Sequence, residues 1–169
     1  MTATRTLVMN PKQVSQRLNR LAWQVYEQCY NEQEIIVAGI SGNGFRLAKR
    51  ITALLGEISP LKVTLCEINI SKDAPLDGKA SVTPANTTVD NKTVIVVDDV
   101  SNSGRTLMYG VKLFLESPVK ALLTLVLVDR DHTRFPVKTN FVGLSLATTM
   151  QEHISVMIGD NGEGEVYLD

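Results

Sequence analysis

Three short aliphatic runs constrain this chain most. EIIVAGI (Glu34–Ile40), TVIVVD (Thr93–Asp98) and KALLTLVLV (Lys120–Val128) are short for helices and rich in β-branched side chains, so each predicts a strand buried on both faces. The first leads into glycine-rich SGNG and then into Leu47, Ala48, Ile51, Leu54 and Leu55, whose helical spacing predicts a helix stopping at Gly56. The second leads into a turn containing Gly104 and a helix predicted over Gly104–Glu116. Strand, glycine turn and helix, met twice in that order, predict an α/β fold with a mostly parallel sheet flanked by helices.

The remaining segments fit around that core. Asn10-Pro11 followed by Gln13 has the form of a helix start, and Val14, Leu18, Leu21 and Val25 then share one face of a helix predicted to end near Tyr30, with Trp23 packing on it. Leu61–Ile70 predicts a further strand. Residues 71–92 contain Pro75 and Pro84 and little periodicity, which predicts a long flexible loop of the kind that usually serves function. From Phe141 onward short strands such as ISVMI and EVYL are separated by GDNGEG. At 169 residues, with no repeat and no linker, residues 1–169 are expected to form one domain.

Charge and cysteine content remove several function classes. A formal net charge of -1 gives no overall attraction to nucleic acid or to an anionic membrane, so any phosphate binding must be local. Cys29 and Cys66 lack metal-ligand spacing and are expected to be buried thiols. No run has the length needed to span a bilayer and the N-terminus lacks a signal-peptide core, so the expectation is a cytoplasmic protein with no membrane partner.

The stretch VIVVDDVSNSGRT, Val94 to Thr106, carries the chemistry. Ligands of open parallel sheets bind beyond the carboxyl ends of the strands, where Asp98 and Asp99 fall. Neighbouring carboxylates repel unless a cation or hydrogen-bond donors compensate them, and the vicinal hydroxyls of a ribose with a hydrated magnesium ion supply both. The following Ser101, Asn102, Ser103, Gly104, Arg105 and Thr106 open a helix, where free backbone N–H groups, hydroxyls and a glycine suit a phosphate dianion. Acid pair and anion cradle together describe a ribose 5-phosphate site. The alternatives are a solvated strand end or a phosphoacceptor pocket for the acids, an ordinary turn for Ser41–Gly44, and a surface hydrogen bond for His132.

This stretch resembles the phosphoribosyl-pyrophosphate motif of type I phosphoribosyltransferases. VAGISGNGFRLAKRI (Val37–Ile51) resembles the pyrophosphate-loop region of that family. LVDRDHTRFPVKTNFVG (Leu127–Gly143) is similar to the base-side segment of one branch, the bifunctional pyrimidine-operon attenuation regulator and uracil phosphoribosyltransferase. The resemblance implies magnesium-dependent transfer of ribose 5-phosphate from phosphoribosyl pyrophosphate to a nucleobase, a pyrimidine such as uracil. By resemblance Asp98 and Asp99 are the catalytic and magnesium-binding pair, and Ser101 to Thr106 hold the 5-phosphate. Ser41, Gly42, Asn43 and Gly44 line the pyrophosphate, Asp129 and Arg130 belong to the base-side loop, and residues 71–92 close over the site. The resemblance also implies a central, mostly parallel five-stranded sheet flanked by helices, a small hood region to which residues 129–169 contribute along with C-terminal strands, and a homodimer or higher homo-oligomer.

Three departures stand out. Ser41–Gly44 replaces the branch's K-T-R-G and so lacks a basic contact. INISKD (Ile68–Asp73) replaces its Y-R-D-D, removing an arginine and an acid. Asn102 stands where purine members carry an acid, which disfavours hypoxanthine and guanine. The second reading is an RNA-binding attenuator that senses nucleotide with little or no catalysis, with Arg17, Arg20, Arg130, Arg134 and Lys138 as the basic surface. Five dispersed cations on a near-neutral chain make RNA the less favoured partner.

Overall fold

A computed structural model describes residues 4–169. The chain begins with β1 (Thr6–Met9), a strand with no clear sequence signal, followed by α1 (Pro11–Cys29). Asn10 and Gln13 form the expected reciprocal cap, each side chain bonding the other's backbone N–H at 2.9 Å. Next come β2 (Glu34–Ile40), α2 (Asn43–Ile58), β3 (Lys62–Asn69) and β4 (Ser81–Thr83). The order closes with β5 (Thr93–Ser101), α3 (Arg105–Lys112), β6 (Ala121–Asp129), β7 (Phe141–Ser145), β8 (Ile154–Ile158) and β9 (Gly164–Leu168).

The main sheet has the order β4-β3-β2-β5-β6-β7 and therefore six strands, one more than expected. Five of them, β3-β2-β5-β6-β7, run parallel; the sixth, β4, pairs antiparallel with β3 and lies inside the segment expected to be loop. Its three residues are too few and too polar to leave an alternating pattern. A second, three-stranded antiparallel sheet, β1-β9-β8, joins the two ends of the chain. Helix α2 runs through Gly56, whose missing side chain faces open space, and ends at Ile58 instead. Helix α3 is regular only to Lys112; the rest of the expected span is tightened turns, Leu113 N–H bonding Gly110 and Phe114 N–H bonding Val111.

The strands are buried on both faces because alternate side chains enter different cores. Ile35, Val37, Ile95 and Val97 pack with α1 and α2, while Ile36, Ala38, Val94 and Val96 pack with Leu107 and Phe114 from the α3 side. Cys29 and Cys66 are free and buried, and burial pushes their thiols up to about 11 and about 12. Trp23 departs from expectation: it is 54 % exposed on the outer face of α1. Among the described residues no helix is long and apolar enough to cross a membrane.

The crossovers from β2 through α2 to β3 and from β5 through α3 to β6 leave in opposite directions, which opens a crevice between the carboxyl ends of β2 and β5. α2 approaches this crevice closely at Gly39, where a Cβ would lie 2.5 Å from the Phe45 Cα and 2.7 Å from the Ala48 Cβ. Gly39→Ala is expected to destabilise the fold by about 2–3 kcal/mol, the range of overpacked cores, as measured by urea unfolding.

Candidate active site

Strand β5 runs on to Ser101, so Asp98 and Asp99 stand within the strand and not after it. Asp98 ends an unbroken buried run at 2 % exposure, and a single cation meets both acids: Lys72 Nζ lies 2.8 Å from Asp98 Oδ1 and 3.3 Å from Asp99 Oδ1. Backbone N–H groups help, that of Asp99 donating to Asp98 Oδ1 and that of Val100 to Asp99 Oδ1, each at 2.9 Å. Asn43 Nδ2 donates to Asp99 Oδ2 at 3.0 Å and to the Val156 carbonyl at 2.8 Å, joining the pair to the small sheet. Arg105 Nη2 holds the lysine's own backbone, bonding the carbonyls of Lys72 at 2.9 Å and Asp73 at 3.0 Å.

These surroundings separate the two acids electrostatically. Burial, then the Asp99 charge, push the Asp98 carboxyl up to about 7, against the pull of Lys72. Burial also opposes the Asp99 charge, but Lys72 and hydrogen bonds from Asp98, Asn43 and Val100 outweigh it and hold Asp99 below the usual carboxylate range. For Lys72 itself, burial works against the ammonium and the two aspartates overcome it, leaving its pKa raised.

The turn after β5 supplies the opposite polarity. Gly104 has φ 83 and the N-cap of α3 offers no side chain; Ser103 Oγ accepts the Arg105 N–H at 3.3 Å, and the Thr106 and Leu107 N–H groups that follow have no partner among the described residues. A segment from the base-side region covers the turn: Arg134 and Phe135 N–H donate to the Ser103 carbonyl at 2.8 and 3.0 Å. A Cβ on Gly104 would come within 2.7 Å of Val137 Cγ1. The result is a cavity of about 480 Å³ lined by Asp98, Asp99, the whole turn Ser101–Thr106, Lys72, Arg134, Phe135 and His153. Carboxylates beside an N–H-rich turn suit a ligand that carries both hydroxyls and an anion.

The other sequence candidates do not line this cavity. Ser41, Gly42, Asn43 and Gly44 form the β2–α2 turn; Gly42 needs φ 90, and a Cβ on Gly44 would lie 3.1 Å from Asp98 Oδ1, so both glycines answer to local geometry. Asp129 accepts the Asp131 N–H at 3.0 Å and the Thr139 hydroxyl at 2.6 Å, both within the base-side region. Arg130 is buried, and His132 meets the Thr148 carbonyl at 2.6 Å. Arg17 and Arg20 donate to carbonyls of Val142 and Gly143. Lys72, Arg134, Phe135 and His153 were not assigned to the sugar-phosphate site from sequence. Lys72 had the clearest signal, since it is the one cation of INISKD, the segment that stands in place of Y-R-D-D.

The profile of the phosphoribosyl transferase domain matches residues 8–157. The chain belongs to that family. Among curated relatives, the bifunctional protein PyrR of Clostridium kluyveri is 30% identical over 162 residues, 92% of each chain. The bifunctional protein PyrR of Geobacter sulfurreducens is 31% identical over 160 residues, 90% of each chain. The same fold occurs in the hypoxanthine phosphoribosyltransferase of Trypanosoma cruzi, with TM-score 0.77 at 13% identity over 96% of this chain and 95% of that one. A hypoxanthine-guanine phosphoribosyltransferase of Bacillus anthracis gives TM-score 0.72 at 22% identity over 96% of each. This phosphoribosyltransferase chain thus has the fold and the family expected from its motif.

The raised Asp98 pKa has a consequence for stability. A carboxyl that titrates higher when folded favours the fold fully below its unfolded pKa, near 4, and that contribution is lost as pH rises through about 7. Asp98→Asn removes the buried charge. The ligand-free variant is expected to match the wild type near about pH 4 and to exceed it by on the order of 2 kcal/mol near about pH 8, checked by urea unfolding at both values.

Proposed function

We propose that the protein transfers the ribose 5-phosphate of phosphoribosyl pyrophosphate to a nucleobase, a pyrimidine such as uracil, and releases pyrophosphate. One observation carries this reading: Asp98 and Asp99 converge on a single cation in the same cavity as the uncapped turn Ser101–Thr106. In this reading the two carboxylates accept hydrogen bonds from the ribose diol and the turn's N–H groups and hydroxyls receive the 5-phosphate. Ser41–Gly44 flank the departing pyrophosphate. The anomeric carbon gains oxocarbenium character as its bond to pyrophosphate breaks; the base nitrogen then bonds to it and gives up its proton, which the departing pyrophosphate accepts. Catalysis rests on placing the reactants and on fixed dipoles, with no covalent intermediate on the protein.

Lys72 supplies the positive charge that the acid pair needs before the donor enters, and the donor's hydroxyls with a divalent ion take over that role. The donor set fits magnesium brought with its substrate. Among the described residues no group of three or more His, Cys, Asp and Glu could cage a metal, whereas one or two carboxylates completed by substrate oxygens are usual for this ion. Asp98 and Asp99 would hold it, and when bound it neutralises charge on the pyrophosphate. Residues 71–92 carry Lys72 and β4 beside the cavity and in this reading move to admit the donor and exclude water.

RNA attenuation draws less support, because Arg17 and Arg20 already bond backbone carbonyls and Arg130 is buried. A steady-state assay with uracil, phosphoribosyl pyrophosphate and magnesium tests the proposal. Uridine monophosphate should form, and Asp99→Asn should lower kcat/KM by about 100-fold or more, the scale of a lost charged contact in the transition state. Unchanged kinetics in that variant would remove Asp99 from the mechanism.

A further inference from the structure

Residues 71–80, between β3 and β4, are attached to the rest of the protein at one point. Two of the segment's hydrogen bonds are internal: Ala74 N–H donates to Ser71 Oγ at 3.2 Å and Asp77 N–H to the Ala74 carbonyl at 2.9 Å. Among the described residues, the hydrogen bonds that tie it to the body all belong to Lys72 and Asp73. The Lys72 ammonium meets Asp98 and Asp99 at 2.8 and 3.3 Å, and the carbonyls of Lys72 and Asp73 accept from Arg105 Nη2 at 2.9 and 3.0 Å. Lys72, Asp73, Asp98, Asp99 and Arg105 all line the same cavity. The segment therefore answers both polarities of that cavity at once, with a cation on the acids and two oxygens on the cation of the turn after β5.

Arg105 is the attachment that an anion competes for. It is the first residue of α3 and bonds the segment through Nη2 alone; its Nε and Nη1 have no partner among the described residues. A phosphate offers a guanidinium charged, bidentate hydrogen bonds, each about twice as strong as those to a neutral carbonyl. The carbonyls released belong to exposed residues, so water replaces Arg105 and no acceptor is stranded. The Asp73 carboxylate, in the same cavity, repels an arriving phosphate and adds to the displacement. Lys72 is held at both ends, by its ammonium and by its carbonyl. With the carbonyl free, a flexible side chain already 41 % exposed regains its rotamers and its water by leaving the acids.

We infer that Arg105 is a positioning residue that couples the two ends of the cavity: a phosphate on the turn Ser101–Thr106 draws its guanidinium from the carbonyls of Lys72 and Asp73, and the freed segment lifts the Lys72 ammonium from the acid pair. The inference rests on the sugar-phosphate reading of the cavity and adds a regulation to it. Without ligand the chain occupies its own site, and the anionic end of a ligand opens the end that receives hydroxyls. Ribose without a phosphate offers Arg105 no charged acceptor and leaves the latch shut.

Trypsin reads the latch, because cleavage after Lys72 requires that side chain to leave the acid pair, while the exposed Lys79 of the same segment is an internal reference. The full chain is digested briefly in inorganic phosphate, in ribose, and in sodium chloride of matched ionic strength, with both cuts counted by mass spectrometry and phosphate binding followed by calorimetry. For wild type, saturating phosphate should raise the Lys72-to-Lys79 cleavage ratio by about fivefold or more over chloride, the lower end of ordinary coupling between sites, and ribose should leave it unchanged. In Arg105→Met the ratio should already be raised in chloride and phosphate should move it by less than about twofold. Phosphate that binds wild type without changing the ratio overturns the inference alone, whether or not the variant folds, and leaves the transfer reading standing. A full phosphate response in Arg105→Met overturns it equally. If neither phosphate nor ribose 5-phosphate binds wild type, the sugar-phosphate reading fails and this inference with it.

Discussion

Two carboxylates on consecutive residues, one of them sealed from water, form the constraint on which the rest of the structure depends. Burying Asp98 is costly in any conformation of its neighbours, and an apolar residue in its place would serve the sheet better. The surrounding contacts reduce that cost. Lys72 reaches both acids, backbone N–H groups close on one oxygen of each, and Asn43 closes on the other oxygen of Asp99. Lys72 and Asn43 come from different parts of the chain, so the acid pair also organises the elements around it. A site that keeps a disfavoured charge in this way is one where stability has yielded to function.

The parallel sheet explains why these parts meet. Its switch point brings the turns after β2 and β5 side by side, and Gly44 allows α2 to start against Asp98. Two arginines then attach distant segments to the β5 turn. Arg105, from the first residue of α3, holds the backbone of Lys72 and Asp73, and Arg130, just past β6, holds Asn102 together with the stretch before β8. In each of them one terminal guanidinium nitrogen bonds two backbone carbonyls. The β5 turn is thus held from both directions before any ligand arrives.

Much of this was legible in the sequence because it follows from local pattern. The runs at Glu34–Ile40 and Thr93–Asp98, the Asn10 cap and the glycine turns announce a parallel α/β core, and the adjacent acids followed by S-G-R-T mark a stretch that lines one cavity. What escaped depends on contacts between residues far apart in the chain. Lys72 reaches across 26 positions to Asp98, and Arg130 across 28 to Asn102. β1 and β4 are short edge strands with no periodicity of their own, and each exists because a partner strand offers its backbone. The basic residues Arg17, Arg20 and Arg130 look like surface charge in a sequence, yet carbonyls of the fold claim all three.

The central claim is that the acid pair exchanges the Lys72 ammonium for the diol of a ribose donor. Diffraction from crystals soaked with phosphoribosyl pyrophosphate and magnesium measures this directly. The account predicts donor hydroxyls within hydrogen-bond distance of Asp98 and Asp99, the 5-phosphate on the turn Ser101–Thr106, and the Lys72 side chain withdrawn from the pair. A donor bound elsewhere, with Lys72 still bridging the two aspartates, would contradict it.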